Sequence, residues 1–94
     1  MKFEWDEPKA AANLRKHKIS FAEAEEVFVA PTIFEDFDHS QTEARYVAIG
    51  FSTKSRLLTV SFTRPSAGLY RIISARRVTK EERERYAQAK DQSK

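Results

Sequence analysis

The chain has 94 residues, of which 33% are charged and 40% hydrophobic, with a formal net charge of +3. This suffices for one domain with a modest core, and an aromatic content of 12% excludes a disordered tail. There is no cysteine, which excludes a disulfide scaffold, a thiol nucleophile and a thiolate metal site. The apolar runs are too short to span a membrane and Met1–Asp6 lacks the apolar segment of a signal peptide, so a cytoplasmic protein is expected.

Phe3-Glu4-Trp5 alternates and predicts a short strand. Asp6 is an N-cap with Pro8 in the first turn of a helix that runs to about His17, with Ala10, Leu14 and His17 on one face. Ser20 and Glu23 are spaced as a capping box opening a second helix, whose stripe is Phe21, Ala24, Val27 and Phe28 and which Pro31 ends. The period then changes to two. Ile33 to Asp38 predicts a charged edge strand, and His39 to Thr42 a polar turn.

Arg45–Ser52 and Leu57–Thr63 alternate, with Lys54-Ser55 between them. Their pattern predicts Val47, Ile49, Phe51, Leu58, Val60 and Phe62 under the helices. It leaves Tyr46, Ala48, Gly50, Thr59, Ser61 and Thr63 on the opposite face. Arg64 to Gly68 reads as a second turn and Tyr70 to Arg77 as the last strand. Thr79 and Glu82 form another capping box for a helix from Lys80 to about Ala89, with residues 91–94 expected to fray. The order β-α-α-β-β-β-β-α predicts one α+β domain over residues 1–90. It is a two-layer sandwich, an antiparallel meander with helices packed on one face.

Charge is unevenly spread. Met1 to Ala44 carries −5, and Arg45 to Lys94 carries +8. From Arg45 to Arg77 there are seven Lys/Arg residues and no acid. Such a block favours a phosphate-rich partner, unless its arginines pair with the acidic half. The small and hydroxylated sheet face would make a polar floor. The last strand adds either Arg71 and Arg77 or Tyr70 and Arg76 to it, and Arg64 stands at its rim. The two histidines, His17 and His39, have no metal-ligand spacing, and no cofactor motif is present. RNA cleavage needs neither. The 2′-hydroxyl is a built-in nucleophile, and the protein supplies proton acceptor, proton donor and cations. His17, between Lys16 and Lys18, is the histidine flanked by cations; His39, beside Asp36 and Asp38, reads as a surface residue.

Three sets of residues, in order, resemble the BrnT family of toxins from type II toxin–antitoxin modules. The first is Phe3-Glu4-Trp5-Asp6, Lys9, Asn13, Lys16-His17, Ile19-Ser20-Phe21, Ala24 and Val27-Phe28. The second is Glu43-x-Arg45 with Ile49-Gly50. The third is Arg71-Ile72-Ile73-Ser74-Ala75-Arg76-Arg77, Thr79, Glu82-Arg83 and Tyr86. Lys18 stands where the family usually has glycine, and Val78 where it usually has alanine. The resemblance implies a RelE-like fold and a metal-independent ribonuclease that inhibits translation. It also implies a BrnA-type ribbon-helix-helix antitoxin, through which the complex meets operator DNA.

On this reading His17, Arg64 and Arg76 are the expected catalytic residues. Lys16, Arg71 and Arg77 hold phosphates and Tyr46 stacks on a base. Glu43 and Arg45 form a local pair, and Glu82 and Tyr86 brace the arginine strand. No metal and no cofactor are expected. The alternative is a non-catalytic nucleic-acid- or partner-binding module, a degenerate toxin acting in operon repression.

Overall fold

The computed structural model describes residues 1–92. Its elements are β1 (Lys2–Glu4), α1 (Glu7–His17), α2 (Phe21–Glu26), β2 (Thr32–Glu35), β3 (Arg45–Phe51), β4 (Leu57–Ser66), β5 (Leu69–Arg77) and α3 (Lys80–Gln92). Short 3₁₀ turns follow α2 at Val27–Val29 and β2 at Phe37–His39. The α+β architecture is the expected one. The five strands are ordered β1-β5-β4-β3-β2, with β2 to β5 an antiparallel meander and β1 parallel to β5. Arg64 and Pro65 belong to β4, so the second turn is shorter than expected and centres on Ala67 and Gly68, the latter at φ +78°. The last helix runs past Ala89 to Gln92, and of the expected loose end residues 93 and 94 lie outside the described residues.

The helix ends follow their side chains. Asp6 accepts from the Lys9 N–H and Ser20 from the Glu23 N–H. Only the box at α3 is reciprocal: the Glu82 N–H donates to Thr79 Oγ1, and the Thr79 N–H to Glu82 Oε1 at 2.8 Å. Glu23, spaced to complete the capping box at Ser20, is 4% exposed. Its carboxylate leaves the cap to pair with Arg56 and accept from Ser52 Oγ, tying α2 to the β3–β4 turn. The Arg56 hydrogen bonds hold its pKa below the ordinary value against the opposing effect of burial. Lys18, where glycine was the family's habit, is the C-cap of α1 at φ +62°, and its N–H closes on the Leu14 carbonyl. That left-handed backbone is the physical reason glycine suits the position.

One contiguous core joins Ile19, Phe21, Ala24, Val27 and Phe28 to Ala48, Leu58, Val60, Phe62, Ile72 and Ala75. α1 and α2 therefore cover one face of the sheet. The facing of β3 corrects the sequence expectation. Ala48 pairs with Val60 and Gly50 with Leu58, so the small residues of β3 face α2, and Val47, Ile49 and Phe51 face away. The cause is close approach. A Cβ on Gly50 would stand 3.1 Å from both Val27 Cγ1 and the Val27 carbonyl oxygen, so the turn after α2 packs directly on backbone here. Asn13 completes the fold at the sheet's edge. Beyond β1 the outer edge of β5 has no strand partner among the described residues, and Asn13 takes its place. Its Nδ2 donates to the Ala75 and Ile19 carbonyls at 2.8 and 3.0 Å, and its Oδ1 accepts from the Ala75 N–H.

Candidate functional site

The face turned away from α1 and α2 carries two rows of side chains in cross-strand register. One row is Ile49 (β3), Thr59 (β4) and Arg76 (β5). The other is Arg45, Thr63 and Arg71. Simple alternation would put Arg71 and Arg76, five residues apart, on opposite faces. A β-bulge resolves this: Ser61 pairs with Ser74 but Phe62 pairs with Ile72, which leaves Ile73 as the extra residue. The bulge turns both arginines to one side, so neither of the two arginine sets expected for the floor is correct. Thr59, Ser61 and Thr63 lie there as expected. The β3 part of the floor is Arg45, Val47 and Ile49 rather than Tyr46, Ala48 and Gly50.

α3 borders this face. Glu82 reaches Arg76 through a two-pronged bond, Nη1–Oε1 2.8 Å and Nη2–Oε2 2.9 Å, and also accepts from Thr59 Oγ1 at 2.9 Å. Burial pushes the Glu82 carboxyl up. The hydrogen bonds from Arg76, the Thr79 N–H and Thr59 outweigh it and bring the pKa to about 2. Arg76 is correspondingly held above its ordinary value, first by the Glu82 hydrogen bonds. One turn on, Tyr86 sets its ring edge-to-face on Phe51 at 6.0 Å, and Arg85 lies 4.0 Å above the Phe34 ring. Glu82 thus ties α3 to the arginine strand β5 and its neighbour β4, whereas Tyr86 packs on β3 and not on the arginine strand.

Between α3 and the loop after β2 opens a cleft of about 640 Å³, lined among others by Arg45, Thr59, Ser61, Arg76, Arg85 and His39. The loop is latched in place. Ser40 Oγ donates to the Asp36 carbonyl and accepts from the Arg45 N–H, while the Asp36 N–H donates to the Arg45 carbonyl. That latch brings His39 to the same cleft as Arg45. His39 Nδ1 lies 2.8 Å from Asp36 Oδ2, which leaves Nε2 open among the described residues. A guanidinium without an ion pair among the described residues (Arg45), one fixed by a carboxylate (Arg76) and an oriented imidazole therefore share one hydroxyl-floored cleft. A second cleft of about 480 Å³ adjoins it, shares Arg45, Asp38 and His39, and adds Lys9, Thr63 and Arg71.

The expected site residues are not all brought together. Arg76 and Arg71 are on the open face, Arg71 with its Nε on Glu4. Arg64 is a correction. It lies at the other end of β4 on the opposite side, its guanidinium 5.0 Å above the Tyr70 ring, because residue 64 has the opposite parity to Thr63. Tyr46 is also on the helix side, stacked on Phe62 at 5.6 Å, and cannot lie on the open floor. Arg77 pairs in register with Leu58 and points to the helix side at the strand's end. Lys16 is exposed on α1 and lines neither cleft. His17 is half-buried one turn beyond Asn13 and lines neither cleft. Glu43 is in the loop before β3 rather than on it and makes no ion pair with Arg45. His39, Lys9 and Arg85 were missed as site residues. The sequence signal for His39 was its spacing of three from Asp36 across a turn. Among the described residues no group of three His, Asp or Glu side chains is placed to hold a metal ion, and no helix is long and apolar enough to cross a membrane.

Comparison with curated proteins gives no match. The chain is similar to the crystal structure of the Brucella abortus ribonuclease toxin BrnT, with 30% sequence identity and a TM-score of 0.68. The alignment covers 85% of this chain and 99% of that one. The family described as the ribonuclease toxin BrnT of type II toxin–antitoxin systems matches residues 5–82. That span runs from Trp5 to Glu82 and so includes α1, the whole meander and the start of α3. The chain therefore belongs to the BrnT family of ribonuclease toxins of type II toxin–antitoxin systems.

Proposed function

We propose that this chain is a metal-independent endoribonuclease that cuts RNA in the cleft shared by Arg45, Arg76 and His39. The observation that carries this reading is the convergence of those three groups on a hydroxyl-lined floor. Asp36 holds His39 through Nδ1, so Nε2 is the atom that takes the proton from the 2′-hydroxyl. The freed oxygen attacks the adjacent phosphorus, and the P–O5′ bond breaks. The products are a 2′,3′-cyclic phosphate and a 5′-hydroxyl, whose oxygen takes a proton from water at the open cleft. Arg45 and Arg76 face the phosphate oxygens as charge accumulates on them. Glu82 keeps Arg76 from folding away, so its guanidinium needs little reorganisation. In the cell the substrate is cytoplasmic RNA, the result is arrest of translation, and the neutralising partner is a BrnA-type ribbon-helix-helix antitoxin that carries the complex to operator DNA.

The test is a cleavage assay on a short RNA in excess EDTA. Cleavage persists, and a 2′-deoxy substitution at the cut nucleotide abolishes it. His39→Ala lowers kcat by about 100-fold or more, and Arg76→Ala by about 100- to 1,000-fold. His17→Ala stays within about threefold of the parent, well short of the loss of a proton-transfer group. Cleavage that stops in EDTA, or that tolerates the 2′-deoxy substitution, overturns the proposal.

A further inference from the structure

The second cleft contains a buried hydroxyl with nothing to bond. Thr63 is 4% exposed, and its Oγ1 has no hydrogen-bond partner among the described residues. A buried hydroxyl is ordinarily satisfied, and one left open in a cleft calls for a ligand that can accept from it. Its neighbours define the ligand's charge. Thr63 pairs in register with Arg45 on β3 and with Arg71 on β5, so its side chain stands in one row between those of two arginines. Arg71 is engaged with Glu4 through Nε, which leaves its two terminal nitrogens to donate. Lys9 adds a third cation from α1, which runs alongside β5. Two carboxylates, Asp38 and Glu43, line the same cleft. Both are exposed, so they stand at its mouth while the hydroxyl lies at its floor.

We propose that Thr63, Arg45 and Arg71, with Lys9, form a second phosphate-binding subsite. It holds a phosphodiester of the same RNA strand at a distance from the bond that is cut. The inference rests on the RNA-cleaving reading above. Thr63 and Thr59 are four residues apart on β4, about 13 Å at strand spacing. A stacked strand carries one phosphate per about 3.4 Å of axis and an unstacked one fewer, so the two subsites are about two to four nucleotides apart. A short RNA of two nucleotides reaches only the cutting cleft, whereas one of five reaches both.

The test measures binding of uncleavable 2′-deoxy-substituted RNA of two and five nucleotides to the parent and to Thr63→Val, which keeps the shape and loses the hydroxyl. The parent binds the five-nucleotide probe more tightly than the two-nucleotide one. Thr63→Val loses about tenfold on the longer probe, as expected for a hydrogen bond to a charged group, and nothing on the shorter. It melts no lower than the parent, because no protein bond is lost. Lys9→Gln weakens the longer probe alone, and Glu43→Gln strengthens it. Inorganic phosphate shifts the Thr63 methyl resonance of the parent. If RNA is cleaved but Thr63→Val binds the five-nucleotide probe as the parent does, the subsite is refuted and the RNA reading stands. If phosphate shifts the Thr63 resonance while no RNA is bound or cleaved, an anion site remains at Thr63, but its assignment to an RNA phosphodiester falls together with the RNA reading.

Discussion

Replacing Glu82 by glutamine tests whether the Arg76–Glu82 pair holds α3 to the open face. Glutamine keeps the size of the side chain and an acceptor for Thr59 and the Thr79 N–H, but removes the charge that draws the guanidinium. The carboxyl falls from an ordinary 4.5 to about 2 in the folded chain, which corresponds to about 3 kcal/mol at about 1.36 kcal/mol per pH unit. Arg76 keeps 40% of its side chain in solvent and Glu82 19%, so screening removes roughly half, leaving about 1–2 kcal/mol. A lowered folded-state pKa gives stability that is present above pH 4.5 and lost as the pH falls toward about 2. Urea unfolding at a series of pH values is the assay, read as the difference between parent and Glu82→Gln. That difference is about 1–2 kcal/mol at pH 7 and closes between pH 4.5 and about 2. A gap below about 0.5 kcal/mol at pH 7, the size of an ordinary exposed pair, refutes the reasoning, as does a gap that does not change with pH.

Asn13→Ala strands the Ala75 N–H and carbonyl and the Ile19 carbonyl away from water, and costs about 2–4 kcal/mol in urea unfolding. Gly50→Ala pushes a methyl to 3.1 Å from the Val27 backbone and lowers stability by about 1–2 kcal/mol. Lys18→Gly relieves the left-handed C-cap and raises stability by about 0.5–1 kcal/mol, after the entropy of glycine is subtracted from the relief. A thermal melt in parallel checks the sign of all three.

The sequence carried the fold far, because its signals there were local. Asp6, Ser20 and Thr79 bond to the backbone three residues on, so the three helix starts were legible. The facing of β3 was not. Its apolar residues looked like the core side because alternation assumes one covered face. Here both faces of β3 are used: Ala48, fully buried, lies under the helices, while Ile49, 1% exposed, is buried on the other face. Smallness, at Ala48 and Gly50, was the true mark of the helix side, and it becomes meaningful only once Val27 is seen against it. The candidate site was legible in composition and not in arrangement. Arg71 and Arg76 share a face only through a bulge at Ile73, which leaves no signature in an unbroken run of strand-forming residues. Arg64 and Tyr46 lost their expected places through parity alone. The acid-free stretch was a fair sign of a cationic face, yet two of its arginines, Arg56 and Arg71, pair with Glu23 and Glu4 of the acidic half. Arg45, read as a fold residue, lines both clefts, as Asp38 and His39 do.

The most direct test of the account is to find which face of the sheet the nucleic acid touches. A two-dimensional amide spectrum recorded during titration with an uncleavable 2′-deoxy-substituted RNA reads every strand at once. Shifts are expected at Arg45, Thr59, Ser61, Arg71, Arg76 and the loop around His39, weakening as salt is raised. Shifts centred instead on Arg64, Tyr46 and Tyr70, with the open face silent, would contradict it.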